Sequence, residues 1–272
     1  MINREKLKEC KRIVIKVGTS TLTYENGRAN LVSIERLCRA ISNMMNQGHE
    51  VILVSSGAIG IGMGRLRMES KPQSIREKQA IAAVGQCELM NLYSKFFSEY
   101  NYIAGQVLLT KDDIEDKVTC NNIFNTFCCL IEKEIIPVVN ENDTVSTREI
   151  YHNGTFGDND TLSAIVATVV NADLLILLSD ISGLYDSDPR LDENAMLIHT
   201  VHSITPEIES FAGESGTARG TGGMKTKIEA AKIATRAGIH MVIANGKDPA
   251  IIGDIMDGES IGTLFVGSPK RT

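Results

Sequence analysis

The chain lacks several features that would each announce a function class. No stretch approaches the roughly 18 consecutive apolar residues needed to span a membrane, and the start MINREKLKEC has neither the apolar core nor the small-residue cleavage site of a signal peptide. A cytoplasmic protein without a membrane partner is expected. The six cysteines, Cys10, Cys38, Cys87, Cys120, Cys128 and Cys129, form no CxxC pair, and several lie in apolar, helix-like stretches. This argues against a zinc site or a disulfide framework. Aromatic residues make up only 5% of the chain, the formal net charge is −6, and no basic cluster is present. The electrostatic footprint and stacking platforms of a nucleic-acid binder are therefore missing. An anionic substrate would have to be held by local positive groups, because the field of the whole molecule repels it.

Familiar catalytic fingerprints are missing too. The only Gly-Lys pair, Gly246-Lys247, is followed by Asp248, which breaks the P-loop pattern, and Gly60-x-Gly62-x-Gly64 leads into Arg65 and Leu66, which breaks the dinucleotide pattern. There is no HExxH, and the surroundings of Ser56 depart from the GxSxG nucleophile elbow. His199 and His202 read as surface residues more readily than as a shared metal site.

What is present is a regular alternation. At 272 residues and 43% hydrophobic side chains, the chain is long enough to bury a large core. Ile13 to Val17 is a short β-branched run closed by Gly18-Thr19-Ser20. Leu31, Ile34, Leu37, Cys38, Ile41, Met44 and Met45 then recur at helical spacing up to a stop at Gly48. The pattern continues with a strand at 51–54, a helix from about 75 to 97, a strand at 103–109 and a helix at 123–132. A strand at 135–139, a helix at 162–170 and a strand at 174–178 follow. After a turn-rich segment come a helix at 224–237, a strand at 239–244 and a last short strand at 264–266. Apolar strands separated by amphipathic helices predict one α/β domain over residues 1–272, with a mostly parallel central sheet sandwiched between helices and ligands at the carboxyl ends of the strands. The polar segment from Asn140 to Asp160 is longer than an ordinary strand-to-helix connection, as functional loops or those holding a small hairpin are.

Three strand-end segments are rich in glycine and hydroxyl residues: Lys16 to Ser20, Ser55 to Gly60, and Gly220 to Lys227. Glycine lets the backbone come close to an anion, and its N–H groups, with those of a following helix, can donate to a phosphate. Any one of these is as readily an ordinary tight turn. Three at corresponding strand ends, two of them carrying lysines, point to a phosphate cradle. Asp158, just before an apolar helical run, is equally suited to capping that helix.

IKVGTS at 15–20, VSSGAIGIG at 54–62, NENDTV at 140–145, FGDND at 156–160, LLSDISGLY at 177–185 and GTGGMKTK at 220–227 together resemble the glutamate 5-kinase branch of the amino acid kinase family. The resemblance runs in order across essentially the whole chain, without the C-terminal PUA domain many members carry. It implies transfer of the γ-phosphoryl group of ATP, with Mg²⁺, to the side-chain carboxylate of L-glutamate, as the first step of proline biosynthesis. Position by position it assigns Lys16, Asp160 and Lys227 to catalysis, with Asp160 holding the two lysines. Ser56, Asp143 and Asn159 match the amino-acid site. Lys16, Gly18, Ser179, Asp180 and the stretch Thr221, Gly222, Gly223, Met224, Lys225, Thr226 and Lys227 match the nucleotide site, the part from about residue 170 onward. Many relatives carry a small residue where Lys225 stands, which leaves its role open. The resemblance further implies inhibition by proline, coupling to glutamyl phosphate reductase and a homo-oligomer. Enzymes of the same family acting on other acceptors, acetylglutamate, aspartate, carbamate or a phosphate ester, would differ in the segment 140–160. A silent amino-acid sensor would be expected to have lost one of Lys16, Asp160 and Lys227.

Overall fold

The computed structural model describes residues 4–145, 159–212 and 223–269. The chain order is β1 (Arg12–Val17), α1 (Thr19–Leu22), α2 (Leu31–Asn46), β2 (Glu50–Ser55), α3 (Ala58–Arg65), α4 (Ile75–Ser98) and β3 (Ile103–Leu109). It continues through α5 (Lys111–Glu115), α6 (Lys117–Glu132), β4 (Ile135–Glu141), α7 (Asn159–Val169), β5 (Leu174–Ser179), β6 (Thr200–Val201) and α8 (Pro206–Ser210). The described elements end with α9 (Met224–Arg236), β7 (His240–Asn245), α10 (Ile251–Met256) and β8 (Thr263–Phe265).

The strands form one eight-stranded sheet in the order β3-β4-β2-β1-β5-β7-β8-β6. Pairing is parallel from β3 through β7, and only the contact between β7 and β8 is antiparallel. The expected α/β sandwich is thus the architecture found, and β1 lies at its centre. From β1 the chain winds outward first through β2 and β4 and later, in the other direction, through β5 and β7. A cleft is left at the carboxyl edge where the winding reverses.

Because strand side chains alternate, β1 feeds two cores. Ile13, Ile15 and Val17 pack in one apolar cluster with Ile34, Leu37 and Leu89, under α2 and α4. Val14 packs in the other with Leu162, Val166, Ile228 and Ala231, under α7 and α9. Lys16 has the parity of Val14. Its side chain therefore rises on the face that α7 and α9 cover, at the end of the strand that opens on the cleft.

Two features departed from the pattern-based expectation. Residues 58–60, read as part of the glycine-rich strand-end segment 55–60, instead begin the helix α3, and α6 begins six residues earlier than the apolar run at 123–132 implied. The first difference follows from packing: α3 lies flush on α4, where a methyl group on Gly85 would overlap the carbonyl oxygen of Ala58 and one on Gly62 would overlap that of Ile81. Glycine weakens the isolated helix but permits this approach. The second follows from capping, since the Asp116 side chain accepts from the backbone N–H of Thr119 and starts the helix there.

Candidate active site

The carboxyl edge around β1 gathers polar side chains that would be costly to bury unpaired. Asp160, 1% exposed in the first turn of α7, stands between two lysines. Lys16 Nζ lies 2.5 Å from Oδ1 and Lys227 Nζ donates to Oδ2 at 2.9 Å. Burial raises the Asp160 carboxyl pKa, and the two ammonium groups outweigh it, holding the carboxyl below the usual carboxylate range. The start of a helix also favours a negative side chain. With both oxygens engaged by cations, Asp160 is poorly placed to take a proton and well placed to fix two positive charges. The trio carries two positive charges and one negative, in a position where a further anion would find surplus attraction.

Local structure explains how each lysine arrives. Lys16 is a strand residue on the α7 and α9 face, as above. Lys227 lies in the first turn of α9, whose N-cap is Gly223. The Thr226 hydroxyl donates to the Gly223 carbonyl at 2.8 Å and lies 3.4 Å from Asp160 Oδ2. Lys225, two positions earlier, is exposed, whereas Lys227 is buried.

The three glycine-rich segments meet only in part within the described residues. Gly18 and Gly57 flank the same spot: a Cβ on Gly57 would lie 3.8 Å from Thr19 Oγ1, and one on Gly18 would lie 3.8 Å from Lys16 Nζ. The third segment joins them through Lys227 and Asp160, while its Thr221 and Gly222 lie outside the described residues, as does Asp158. Two of the helices that start here are preceded by glycine. α3 and α9 are preceded by Gly57 and Gly223 and have no side-chain cap, whereas α2, α4, α6 and α8 are capped by Asn30, Ser74, Asp116 and Thr205. Gly57 has φ +95°, a conformation that side chains disfavour. Among the described residues no N-cap side chain accepts from the first N–H groups of α3 and α9, an arrangement suited to an anion.

On the β2 and β4 side, a chain of amide groups runs through the buried interior. Asn159 Nδ2 donates to Ser56 Oγ at 2.8 Å and to Asn140 Oδ1 at 3.0 Å, and Asn140 Nδ2 donates to Gln86 Oε1 at 2.9 Å. Ser56 and Asn159, assigned to the amino-acid site from sequence, are thus in direct contact. Asp143 is half-buried in the turn after β4, next to residues 146–158 outside the described region. Gln86 and Asn140 were not singled out from sequence; the clue was a glutamine on the apolar face of α4, at a position where burial demands a partner.

On the β5 side, a cleft is lined by Asp180, Leu184, Tyr185, Pro189, Phe211 and Met224 and reaches Lys227. Ser179 Oγ donates to Asp180 Oδ1 at 3.0 Å at the end of β5. The expected nucleotide residues Asp180, Gly223, Met224 and Lys227 therefore share one cleft. Of its apolar walls, Leu184 and Tyr185 close the LLSDISGLY motif, whereas Pro189 and Phe211 come from segments the sequence did not single out. Apolar walls ending in a cation and a glycine-preceded helix start suit a planar base with a phosphate tail. Among the described residues no group of three or more His, Cys, Asp or Glu side chains could hold a metal ion, and no helix is long and apolar enough to cross a membrane.

Comparison with known proteins agrees with this geometry. Residues 11–245 match the model of the amino acid kinase family. The chain is 61% identical over 263 residues to a glutamate 5-kinase of Clostridium perfringens, covering 97% of this chain and 98% of the relative. It is 55% identical over 268 residues to a glutamate 5-kinase of Listeria monocytogenes, covering 98% and 97%. Among solved structures, UMP kinases of Bacillus anthracis and Ureaplasma parvum each superpose with a TM-score of 0.65 over 94% of this chain, covering 96% and 98% of their own, at 16% and 17% identity. That level of identity speaks for the fold alone. The sheet order, the lysine–aspartate–lysine centre and the family match over most of its length agree: this chain belongs to the amino acid kinase family.

Proposed function

We propose that this protein transfers the γ-phosphoryl group of ATP to the side-chain carboxylate of L-glutamate, giving L-glutamyl 5-phosphate, the first step of proline biosynthesis. The observation that carries the proposal is the buried Lys16–Asp160–Lys227 centre, set between a neutral polar site and an apolar cleft. The relatives named glutamate 5-kinase supply the acceptor.

Phosphoryl transfer to a carboxylate brings two anions together, so the protein's part is positioning and positive charge. Lys16 and Lys227 supply that charge, and Asp160 keeps both ammonium groups in register. The acceptor carboxylate is already ionised near neutral pH, so no general base is required. The N–H groups at the glycine-preceded starts of α3 and α9 are suited to hold phosphate oxygens. The nucleotide lies in the cleft of Tyr185, Phe211 and Met224, with Ser179, Asp180 and the segment 221–227 around its phosphates. Mg²⁺ fits as an ion carried by the nucleotide phosphates, since no carboxylate cage is found among the described residues. It would neutralise phosphate charge there.

On the amino-acid side, Ser56 accepts from Asn159 and keeps its own hydroxyl proton for a substrate carboxylate. Asp143 is the partner for the substrate ammonium. Proline carries the same α-carboxylate and a cationic amine without an acceptor carboxylate, so it competes with glutamate at this site. Delivery of the labile acyl phosphate to glutamyl phosphate reductase, a homo-oligomeric state and a cytoplasmic location belong to the same reading.

ADP release measured against a panel of glutamate, acetylglutamate, aspartate, carbamate and UMP tests the function: glutamate alone should support turnover. A preference for any other acceptor overturns it. Initial rates against glutamate at fixed proline concentrations should show a raised apparent KM at unchanged maximal rate; an unchanged KM with a reduced maximal rate excludes a shared site.

A further inference from the structure

The amide chain beside the site has a direction, and one backbone group sets it. The N–H of Glu141 donates to the side chain of Asn140 at 2.9 Å, so the atom receiving it is the Asn140 oxygen. The other end of that amide is then a donor, and the Gln86 atom it meets at 2.9 Å is an oxygen. Likewise the Asn159 atom that meets the Asn140 oxygen at 3.0 Å is a nitrogen, which also donates to Ser56. Two atoms remain over. Gln86 Nε2, a donor, and Asn159 Oδ1, an acceptor, are buried and have no hydrogen-bond partner among the described residues. Gln86 is only 7% exposed and Asn140 2%. An unsatisfied amide group at such depth costs about 1–3 kcal/mol, which a bound polar ligand would recover.

The order along the chain indicates which part of a ligand each end meets. Asn159 adjoins Asp160 and so lies at the phosphoryl end; Gln86 is two hydrogen bonds farther away, at the opposite end of the network. We propose that Gln86 is a substrate-binding residue whose Nε2 donates to the α-carboxylate of the amino-acid substrate, the carboxylate that is not phosphorylated, and so selects substrates with a free one. The neighbouring Gly85 holds it there by letting α4 lie against the start of α3. The proposal rests on the reading of this chain as a glutamate kinase and adds a residue to it.

Gln86→Glu separates binding from bracing, because it keeps the oxygen that accepts from Asn140 and turns the donor into a negative acceptor. KM would be measured for glutamate, for its α-amide isoglutamine, and for ATP. The wild type should prefer glutamate. In the variant the glutamate KM should rise roughly 10- to 100-fold, the scale of a lost charge-assisted hydrogen bond, while the ATP KM holds and the preference shifts towards isoglutamine. Gln86→Met, with similar volume and no donor, provides the same comparison should the glutamate side chain prevent folding, and should lower the preference for glutamate over isoglutamine. An unchanged preference in a folded, active variant overturns the role of Gln86 and leaves the kinase reading standing. A wild type that turns over no glutamate overturns both.

Discussion

The two sides of β1 are built on different principles. On the β2 and β4 side, buried neutral amides and a hydroxyl hold one another from four separate segments, at Ser56, Gln86, Asn140 and Asn159, beneath two helices in backbone contact. On the β5 and β7 side, the cleft has apolar walls contributed by the connection after β5, the end of α8 and α9, and its lining includes the ion pair of half-buried Asp188 with exposed Arg190. One side orients its amides by directed hydrogen bonds and leaves a donor and an acceptor over; the other offers a shaped apolar surface. A small zwitterion needs the first, because its recognition depends on a few directed hydrogen bonds. A nucleotide, with a flat base and a charged tail, would suit the second. The Lys16–Asp160–Lys227 centre joins the two sides, with Lys16 from the central strand β1, Asp160 from α7 and Lys227 from α9.

The largest effect is expected where the sides join. Asp160→Asn leaves two buried ammonium groups without their carboxylate and should lower stability by about 3–5 kcal/mol, read by denaturant unfolding. The pH dependence has a defined sign. The folded carboxyl lies below its unfolded value of about 3.9, so its stabilisation is present above that pH and is lost as the pH falls through the lower folded value. The variant should lack this acid component; an unchanged acid transition would detach Asp160 from the lysines. Next in size, Lys16→Ala and Lys227→Ala should each reduce turnover by about 100- to 1000-fold, and the double variant by less than the product, since both act on one transferring group. Independent, multiplying effects in steady-state kinetics would argue for two separate sites.

Two smaller changes test whether the sides are separable. Asp143→Ala should weaken glutamate binding by about 1.5–3 kcal/mol and leave ATP binding nearly unchanged in calorimetric titrations. Loss of ATP affinity with intact glutamate affinity would exchange the two assignments. Gly85→Ala, which forces α4 away from Ala58, should cost about 1–3 kcal/mol of stability and raise the glutamate KM more than the ATP KM. Equal effects on both would show that the sides move as one body.

Much of this was legible from residue patterns. α2 announced itself by its apolar spacing and its stop at Gly48, which has φ +90°. The buried strands β1, β2 and β5 read directly as β-branched and leucine-rich runs. α3 did not, because three glycines in eight residues argue against a helix until the neighbouring helix on which they pack is known. β6 has two residues and α10 six, too short for any period to show.

At the site the division is similar. The sequence by itself determined the chemistry on offer: a lysine at the end of a buried strand, a second in a glycine-preceded helix, an aspartate in the first turn of another, and polar loops at strand ends. Those follow from local spacing and side-chain type. Only the tertiary structure decided that Asp160 touches both lysines, that Leu184, Tyr185, Pro189 and Phe211 wall one cleft, and that a glutamine on α4 meets an asparagine 54 residues away. Such contacts depend on how helices lie over a sheet, and a buried polar atom is recognised as unsatisfied only when its surroundings in space are known.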